Sequence, residues 1–307
     1  MFRTSHLTKH YGSVAALEDL SVEVPSGRVG LVGANGAGKT TMFRLLLGLT
    51  RPTAGTVEID GRRVDSDPVG IRARVGYMPE HDCLPADQSA ADLVAGLGEL
   101  SGLPARDARQ RASDVLNLVG LDEARFRPMG GFSTGMKQRV KLAQAIVADP
   151  TLVLLDEPTA GLDPTGREEM LGLVARLGEF GISAVMATHL LDDVQKVCDH
   201  VVMLDGGRLV VAGPTESLLE AKTGTVVVEV DGSTRALVAA LEQHGFSSTL
   251  QDGHLEVAVG DAGDDSLDVI RDAVAELRLP LTRLSTRVTS LDDVFVGKAS
   301  HQKEEQS

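Results

Sequence analysis

Eight residues near the N-terminus have the types and spacing needed to hold a chain of phosphate groups. The segment Gly33-Ala34-Asn35-Gly36-Ala37-Gly38-Lys39-Thr40 fits the pattern G-x-x-x-x-G-K-[ST] and is followed by Thr41. Glycines let the backbone turn several N–H groups inward and approach an anion closely. Lys39 would place positive charge beside the β- and γ-phosphates, and the Thr40 hydroxyl could bind Mg²⁺. The segment therefore predicts a binding loop for a nucleoside triphosphate.

The elements on either side of this loop fit the same interpretation. Residues 28–32 are predicted to form a short buried strand, and residues 40–49 a helix whose N-terminus faces the anion. A dinucleotide-binding fingerprint is the alternative, because Gly36 and Gly38 also fit the start of that pattern. Thr41, however, stands where the fingerprint requires glycine or alanine. The spacing thus favours the triphosphate loop.

A pair of adjacent carboxylates supplies the second element of the predicted chemistry. Asp156 and Glu157 follow the apolar run Leu152–Leu155, which has the character of a central parallel strand. Burying these charges is costly unless a cation compensates for them. After a phosphate loop, Asp156 can hold Mg²⁺ and Glu157 can position and deprotonate the attacking water. The alternative is that both carboxylates merely cap the strand and face solvent.

The segment Phe132-Ser133-Thr134-Gly135-Met136-Lys137-Gln138-Arg139 resembles the signature motif of ATP-binding-cassette (ABC) ATPases. The usual form of that motif is Leu-Ser-Gly-Gly-Gln, which Ser133 and Gly135 match, whereas the residues at 132, 134 and 136 depart from it. In the family this motif binds the γ-phosphate held by a partner subunit. The resemblance therefore implies a head-to-tail dimer that encloses two ATP molecules, with Ser133 and Gly135 acting on the other copy's nucleotide.

Further motifs of the family follow in the expected order over about residues 3–220. The segment from Ala160 to Asp163 resembles the D-loop, through which Asp163 would communicate across the dimer. His189 ends a predicted strand and resembles the switch histidine that contacts the γ-phosphate. Tyr11 stands where the family has an aromatic residue that stacks on adenine. The resemblance thus assigns catalysis to Lys39, Glu157 and His189.

One residue departs from the family in a position close to the metal. Glu80 follows Tyr77-Met78-Pro79 in the segment that resembles the Q-loop, where glutamine is usual. A glutamate oxygen could still reach Mg²⁺, so the predicted metal ligands are Thr40, Glu80 and Asp156. The negative charge of Glu80 beside the phosphates could also alter the affinity for Mg²⁺. Alternatively, the replacement of glutamine by Glu80 could simply be tolerated.

Composition restricts the classes of partner. The formal net charge of −14 argues against nucleic acid, and two cysteines cannot form a disulfide framework. The sequence has neither a signal-peptide pattern nor an apolar run of membrane-spanning length, so we do not expect the chain itself to span a membrane. The resemblance implies a peripheral protein at the cytoplasmic face of the membrane. The resemblance implies two partners, an integral-membrane permease subunit and a second nucleotide-binding subunit, most simply another copy of this chain.

The predicted fold class is α/β, a P-loop NTPase core of the ABC ATPase type with a helical subdomain at about residues 82–150. This domain would span residues 1–222. Residues 223–298 predict a small α+β domain with the ferredoxin-like order βαββαβ, and residues 299–307 a disordered tail. The C-terminal extension, including Ser290–Phe295, resembles that of bacterial exporters of drugs and antibiotics.

Two alternatives to an exporter ATPase are open at this stage. A soluble ABC ATPase could remodel a macromolecular complex instead of driving transport. Such proteins usually carry two cassettes or a long coiled-coil insert, and the sequence has neither. A separate possibility concerns the C-terminal domain, which could sense a small molecule, although it has no recognisable ligand motif.

Overall fold

The computed structural model describes residues 1–220, 225–232, 234–251, 254–259 and 263–286. The chain forms two compact units, of which the second begins at Glu216. The boundary predicted between residues 222 and 223 lies outside the described residues. The predicted tail at 299–307 and the segment Ser290–Phe295 lie outside them as well.

The first unit alternates strands and helices in chain order. Its strands are β1 (Phe2–Tyr11), β2 (Val14–Val24), β3 (Arg28–Val32), β4 (Ala54–Ile59), β5 (Arg62–Arg63), β6 (Val75–Met78), β7 (Leu152–Asp156), β8 (Ser183–Thr188), β9 (His200–Asp205) and β10 (Arg208–Pro214). Its helices are α1 (Lys39–Leu46), α2 (Pro68–Arg72), α3 (Ala90–Leu100), α4 (Ala105–Leu118), α5 (Thr134–Ile146), α6 (Pro164–Arg176) and α7 (Leu191–Val197). Helix α8 (Thr215–Glu220) spans the division between the units. None of the helices in the described part of the chain has the length and apolar character needed to cross a membrane.

A six-stranded sheet positions the predicted catalytic residues. Its strand order is β10-β9-β3-β8-β7-β6, and the neighbours from β9 to β6 are parallel. Val32 at the end of β3 pairs with Thr188, and Asp156 at the end of β7 pairs with Ala187. Parallel neighbouring strands end at the same edge of a sheet. The phosphate loop, the two carboxylates and His189 therefore all lie at one edge of this sheet.

The sheet is parallel except at one edge. Strand β10 pairs antiparallel with β9 at the edge, and sequence analysis missed it. Gly206 and Gly207 form the tight connection with φ values of 52° and 82°, which is the conformation that a two-residue hairpin turn requires. The glycine pair was the available signal for this hairpin.

A second sheet of four antiparallel strands, ordered β2-β1-β4-β5, covers α1 and the phosphate loop. Leu17 and Phe43 are fully buried in the core that these elements form with the central sheet. A Cβ added at Gly38 would lie 2.6 Å from Leu17 Cδ2 and 2.7 Å from Ala16 O. Gly38 also has a φ of 104°, so both packing and backbone conformation require glycine there.

Helices α3, α4 and α5 form the predicted helical insert between β6 and β7. Each of α3 and α5 begins at a serine whose hydroxyl accepts a hydrogen bond from the backbone, Ser89 from Asp92 N and Ser133 from Met136 N. The buried faces of these helices carry mostly small and aliphatic side chains. Helix α5 of the insert therefore begins within the segment that resembles the signature motif.

The second unit has the order β11 (Thr225–Val230), α9 (Thr234–Gln243), β12 (Ser247–Gln251), β13 (His254–Ala258), α10 (Gly263–Glu276) and β14 (Leu281–Thr286). Its antiparallel sheet has the order β12-β13-β11-β14. This is the predicted ferredoxin-like βαββαβ arrangement. Its core is formed by aliphatic side chains from both helices and the sheet, among them Val228, Leu241 and Ile270.

Candidate functional site

The predicted phosphate loop, the end of β7 and the segment after β6 enclose one pocket of about 330 Å³. It is lined by Ala16, Ala34, Asn35, Gly36, Ala37, Gly38, Lys39, Thr40, Thr41, Glu80, Asp156 and Glu157. The structure thus brings together most of the residues that sequence analysis assigned to the nucleotide and the metal. Gly33 contacts Lys39 and His189 contacts Glu157, although neither residue lines the pocket. Tyr11 does not line the pocket either.

The glycines of the loop have different roles. A Cβ at Gly33 would lie 2.5 Å from Leu204 O, so this glycine lets the loop pack against β9. Gly36 has a φ of 85° and would place a Cβ in open space. It is exposed at the mouth of the loop, where a larger side chain would occupy room that a phosphate needs.

Lys39 begins α1 and points back into the loop. Its side chain is 8% exposed, and Nζ donates to Gly33 O at 2.6 Å. The same atom lies 3.7 Å from Glu157 Oε1. The ammonium is thereby held between the loop and the predicted catalytic carboxylate, as required of a group that stabilises phosphoryl charge.

Two oxygens of the predicted metal site already lie together. Thr40 Oγ1 is 3.5 Å from Asp156 Oδ2, and the Tyr77 hydroxyl donates to the same carboxylate oxygen at 3.3 Å. Burial raises the pKa of Asp156, and the negative charge of Glu80 raises it further by a smaller amount. Mg²⁺ in nucleotide sites typically takes one or two carboxylates together with phosphate oxygens. The hydroxyl and carboxylate donors fit that ion, and its charge would favour the ionised form of Asp156.

The Glu157 carboxylate is buried, and the last residue of β8 and the residue after it contact it. Thr188 Oγ1 donates to Oε2 at 3.2 Å, and His189 Nδ1 lies 3.1 Å from both carboxylate oxygens. The backbone of Glu157 has a φ of 48°, which is uncommon for a residue other than glycine. Hydrogen bonds from Glu157 N to Ala187 O and from Ala160 N to Glu157 O hold this turn. Such strained backbone is found at functional sites, where the surroundings maintain it.

Tyr77 and Thr188 touch the site, but sequence analysis did not assign them a role. The Tyr77 ring packs edge-on against Phe43, with centroids 6.3 Å apart. Burial and the Asp156 carboxylate raise the pKa of its hydroxyl to about 12, so it remains a hydrogen-bond donor at neutral pH. Tyrosine is scarce in this chain, so the position of Tyr77 three residues before Glu80 was the signal that could have identified this residue.

Ser133, Gly135 and Asp163 line a different pocket, of about 540 Å³. Its lining is Ser133, Thr134, Gly135, Met136, Arg139, Gly161, Leu162, Asp163, Thr165, Gly166, Glu169 and Met170. Asp163 caps α6 by accepting from Gly166 N at 2.8 Å. The lining of this pocket does not overlap that of the phosphate-loop pocket. Within the described chain, the signature segment and the phosphate loop therefore line two separate pockets.

Tyr11 ends β1 and is 42% exposed. Lys9 Nζ lies 4.8 Å from the centroid of its ring, a cation–π distance. Tyr11 does not belong to the lining of the phosphate-loop pocket. Its stacking on adenine stays a prediction.

The comparisons with known proteins agree with these observations. Residues 17–160 match the family described as ABC transporter. The chain is 32% identical over 311 residues to the daunorubicin/doxorubicin resistance ATP-binding protein DrrA of Streptomyces peucetius, covering 99% of this chain and 94% of the relative. The chain belongs to the ABC transporter family. The Nod factor export ATP-binding protein I of Ralstonia nicotianae is 32% identical over 295 residues, covering 94% of this chain and 91% of the relative.

Solved structures of ABC ATPases share the fold. The cbiO1 protein of Clostridium perfringens, part of the ABC transporter complex cbiONQ, matches with a TM-score of 0.65 at 28% identity, covering 71% of this chain and 89% of that one. The ATP-binding cassette MJ0796, in a dimeric post-hydrolysis state bound to ADP and Pi, matches with a TM-score of 0.64 at 25% identity, covering 70% and 99%. This ABC protein is accordingly an ATP-binding and ATP-hydrolysing subunit, which confirms the predicted enzyme class.

Proposed function

We propose that this ABC ATPase drives export through a separate membrane-spanning subunit at the cytoplasmic face of the membrane. The observation that carries the ATPase part is the convergence of Lys39, Asp156 and Glu157 on one pocket. The export part is supported by relatives whose names refer to drug resistance and Nod factor export. These names do not favour the alternative of a soluble remodelling ATPase.

The proposed mechanism assigns each part of hydrolysis to a residue of the pocket. The loop amides and Lys39 stabilise the phosphate charge. Thr40 and Asp156 would hold Mg²⁺ together with Glu80, which lines the same pocket. Mg²⁺, when bound, neutralises charge on the β- and γ-phosphates. Glu157 accepts the proton of the attacking water. Thr188 and His189 hold its carboxylate in place, and His189 would also contact the γ-phosphate.

The proposed working unit is a head-to-tail dimer of two copies. The phosphate-loop pocket and the Ser133 pocket lie on the same chain with separate linings. A second copy could close each phosphate-loop pocket with its own Ser133, Gly135 and Asp163. Ser133 begins α5, so its hydroxyl and the N-terminal amides of the helix suit a phosphate anion.

Reconstitution tests the proposed link to transport. The chain would be produced together with a membrane protein of about six apolar helices encoded by an adjacent reading frame. We expect a complex whose ATPase rate exceeds that of the free chain, and ATP-dependent movement of a drug-like amphiphile across vesicles. Glu157→Gln in the same complex is the control and should abolish transport. A chain that forms no complex with such a protein, yet hydrolyses ATP, would contradict the transport role.

A further inference from the structure

Helix α5 carries a buried lysine that the mechanism above does not use. Lys141 is 4% exposed, although lysine side chains are seldom fully buried. Its Nζ donates to Pro79 O and to Glu80 O, each at 2.8 Å. The ammonium therefore holds the backbone where β6 passes into the segment that brings Glu80 to the phosphate-loop pocket.

The surroundings of Lys141 explain why a cation is useful there. The phosphate-loop pocket contains the carboxylates of Glu80, Asp156 and Glu157 beside Lys39. Bound phosphates would add further negative charge. Burial lowers the pKa of Lys141, whereas the negative charges of Asp82, Glu80 and Asp156 oppose that shift. The buried cation thus lies within the field of the carboxylates that flank the predicted metal site.

We propose that Lys141 is a positioning residue that lets a glutamate function at position 80. It fixes the backbone of Glu80 through the two carbonyls and offsets the negative charge that the usual glutamine would not carry. The inference rests on the proposed function, because Glu80 matters only if the pocket binds a magnesium nucleotide. It assigns to α5 a second role, since the same helix presents Ser133 at its start.

A neighbouring lysine on the same helix provides a comparison. Lys137 lies one turn before Lys141 and pairs with the exposed Asp82 carboxylate at 2.7 Å. It is about one-third exposed, and its contact is with a side chain and not with the Glu80 backbone. Exposed ion pairs of this kind contribute little. Lys137→Met is therefore a matched control for loss of a lysine from α5.

A double-mutant cycle between Lys141→Met and Glu80→Gln tests the proposal. The measurement is the dissociation constant of a fluorescent ATP analogue at a series of Mg²⁺ concentrations, so hydrolysis is not the readout. Lys141→Met should weaken Mg²⁺-dependent binding by roughly tenfold, because a charged hydrogen-bond donor is lost. In the Glu80→Gln background the same change should cost less than about threefold, since no charge at position 80 needs to be offset. Lys137→Met should leave the constant within about twofold.

Three results would overturn the proposal. The first is Mg²⁺-dependent binding that is unchanged in folded Lys141→Met. The second is an equal loss of affinity from Lys141→Met in the wild-type and Glu80→Gln backgrounds. The third is a loss of affinity in Lys137→Met as large as that in Lys141→Met. If Lys141→Met does not fold, as judged by its thermal transition, Lys141→Gln is used with the same expectations. Failure of the wild-type protein itself to bind the magnesium nucleotide would instead refute the proposed function.

Discussion

At the scale of single residues, the Glu157 carboxylate is held from three sides. Thr188 and His189 from the end of β8 contact it, and Lys39 Nζ lies 3.7 Å from Oε1. The backbone of Glu157 is left-handed, with a φ of 48°. A carboxylate fixed in this way is suited to accept a proton without first reorganising.

Glu157→Gln should reduce the turnover of ATP by roughly 10²–10⁴-fold, because the amide cannot accept the proton of water. ATP binding should persist, since the amide oxygen can still accept from Thr188. Steady-state hydrolysis and equilibrium nucleotide binding measure the two effects. Glu168→Gln, at an exposed position of α6, is the control and should hydrolyse ATP normally. Near-normal hydrolysis by Glu157→Gln would refute its role as the base.

Tyr77→Phe should weaken Mg²⁺-dependent nucleotide binding by about three- to tenfold, the usual range for one hydrogen bond. The substitution removes the donor to Asp156 but keeps the ring that packs on Phe43. The thermal midpoint should consequently change little. A titration of Mg²⁺ at fixed nucleotide gives the effect, and an unchanged curve would show that the hydroxyl does not orient Asp156.

At the scale of elements, a buried carboxylate ties together three segments around the site. Asp193 on α7 has no exposed surface. It accepts from Thr159, in the turn after Glu157, at 2.7 Å and from Arg167 on α6 at 2.5 Å. Since α7 follows His189 and α6 follows Asp163, this carboxylate links the segments that carry both residues.

Asp193→Ala should lower the free energy of unfolding by roughly 2–3 kcal/mol, because it leaves a buried hydroxyl and a guanidinium without their acceptor. Urea unfolding measures this loss. The adjacent Asp192 is exposed, so Asp192→Ala should stay within about 0.5 kcal/mol of the wild type. Equal stability of the two variants would contradict the structural role of Asp193.

Sequence analysis anticipated those parts of this arrangement that depend on local signals. The apolar run of β7 and the glycines of the phosphate loop are local signals, and this strand and this loop lie where they were predicted. The helix after the loop ends at Leu46, three residues before the predicted end. The contacts of Tyr77 with Asp156 and of Lys141 with the Glu80 backbone join segments 79 and 61 positions apart. Only the packing of β6, β7 and α5 brings them together, so residue spacing could not show them. The edge strand β10 was not predicted, because its local signal is only a glycine pair followed by a short run.

At the scale of the whole molecule, the separation of the two pockets is the central observation. Lys39 and Glu157 line one pocket, while Ser133 and Gly135 line the other. If two copies assemble head to tail, each active site takes its phosphate loop from one chain and its signature segment from the other. Hydrolysis then requires the dimer. The movement that closes the dimer can be transmitted to a membrane partner.

Mixing two inactive variants tests this claim most directly. Lys39→Ala removes the cation of the phosphate loop, and Gly135→Asp places a negative charge where the partner's γ-phosphate would lie. A Cβ at Gly135 meets only Leu162 Cδ2 at 3.7 Å, and an acidic residue suits the first turn of α5, so this variant should fold. Each variant alone should be nearly inactive in ATP hydrolysis.

In an equimolar mixture, half of the randomly paired dimers contain one of each variant, and each of these has one intact site. We therefore predict recovery to roughly a quarter of the wild-type rate, if the sites act independently. The rate should rise with protein concentration as dimers form. A mixture no more active than its separate components, although both variants fold and associate with wild-type chains, would contradict an ATP site shared between two copies.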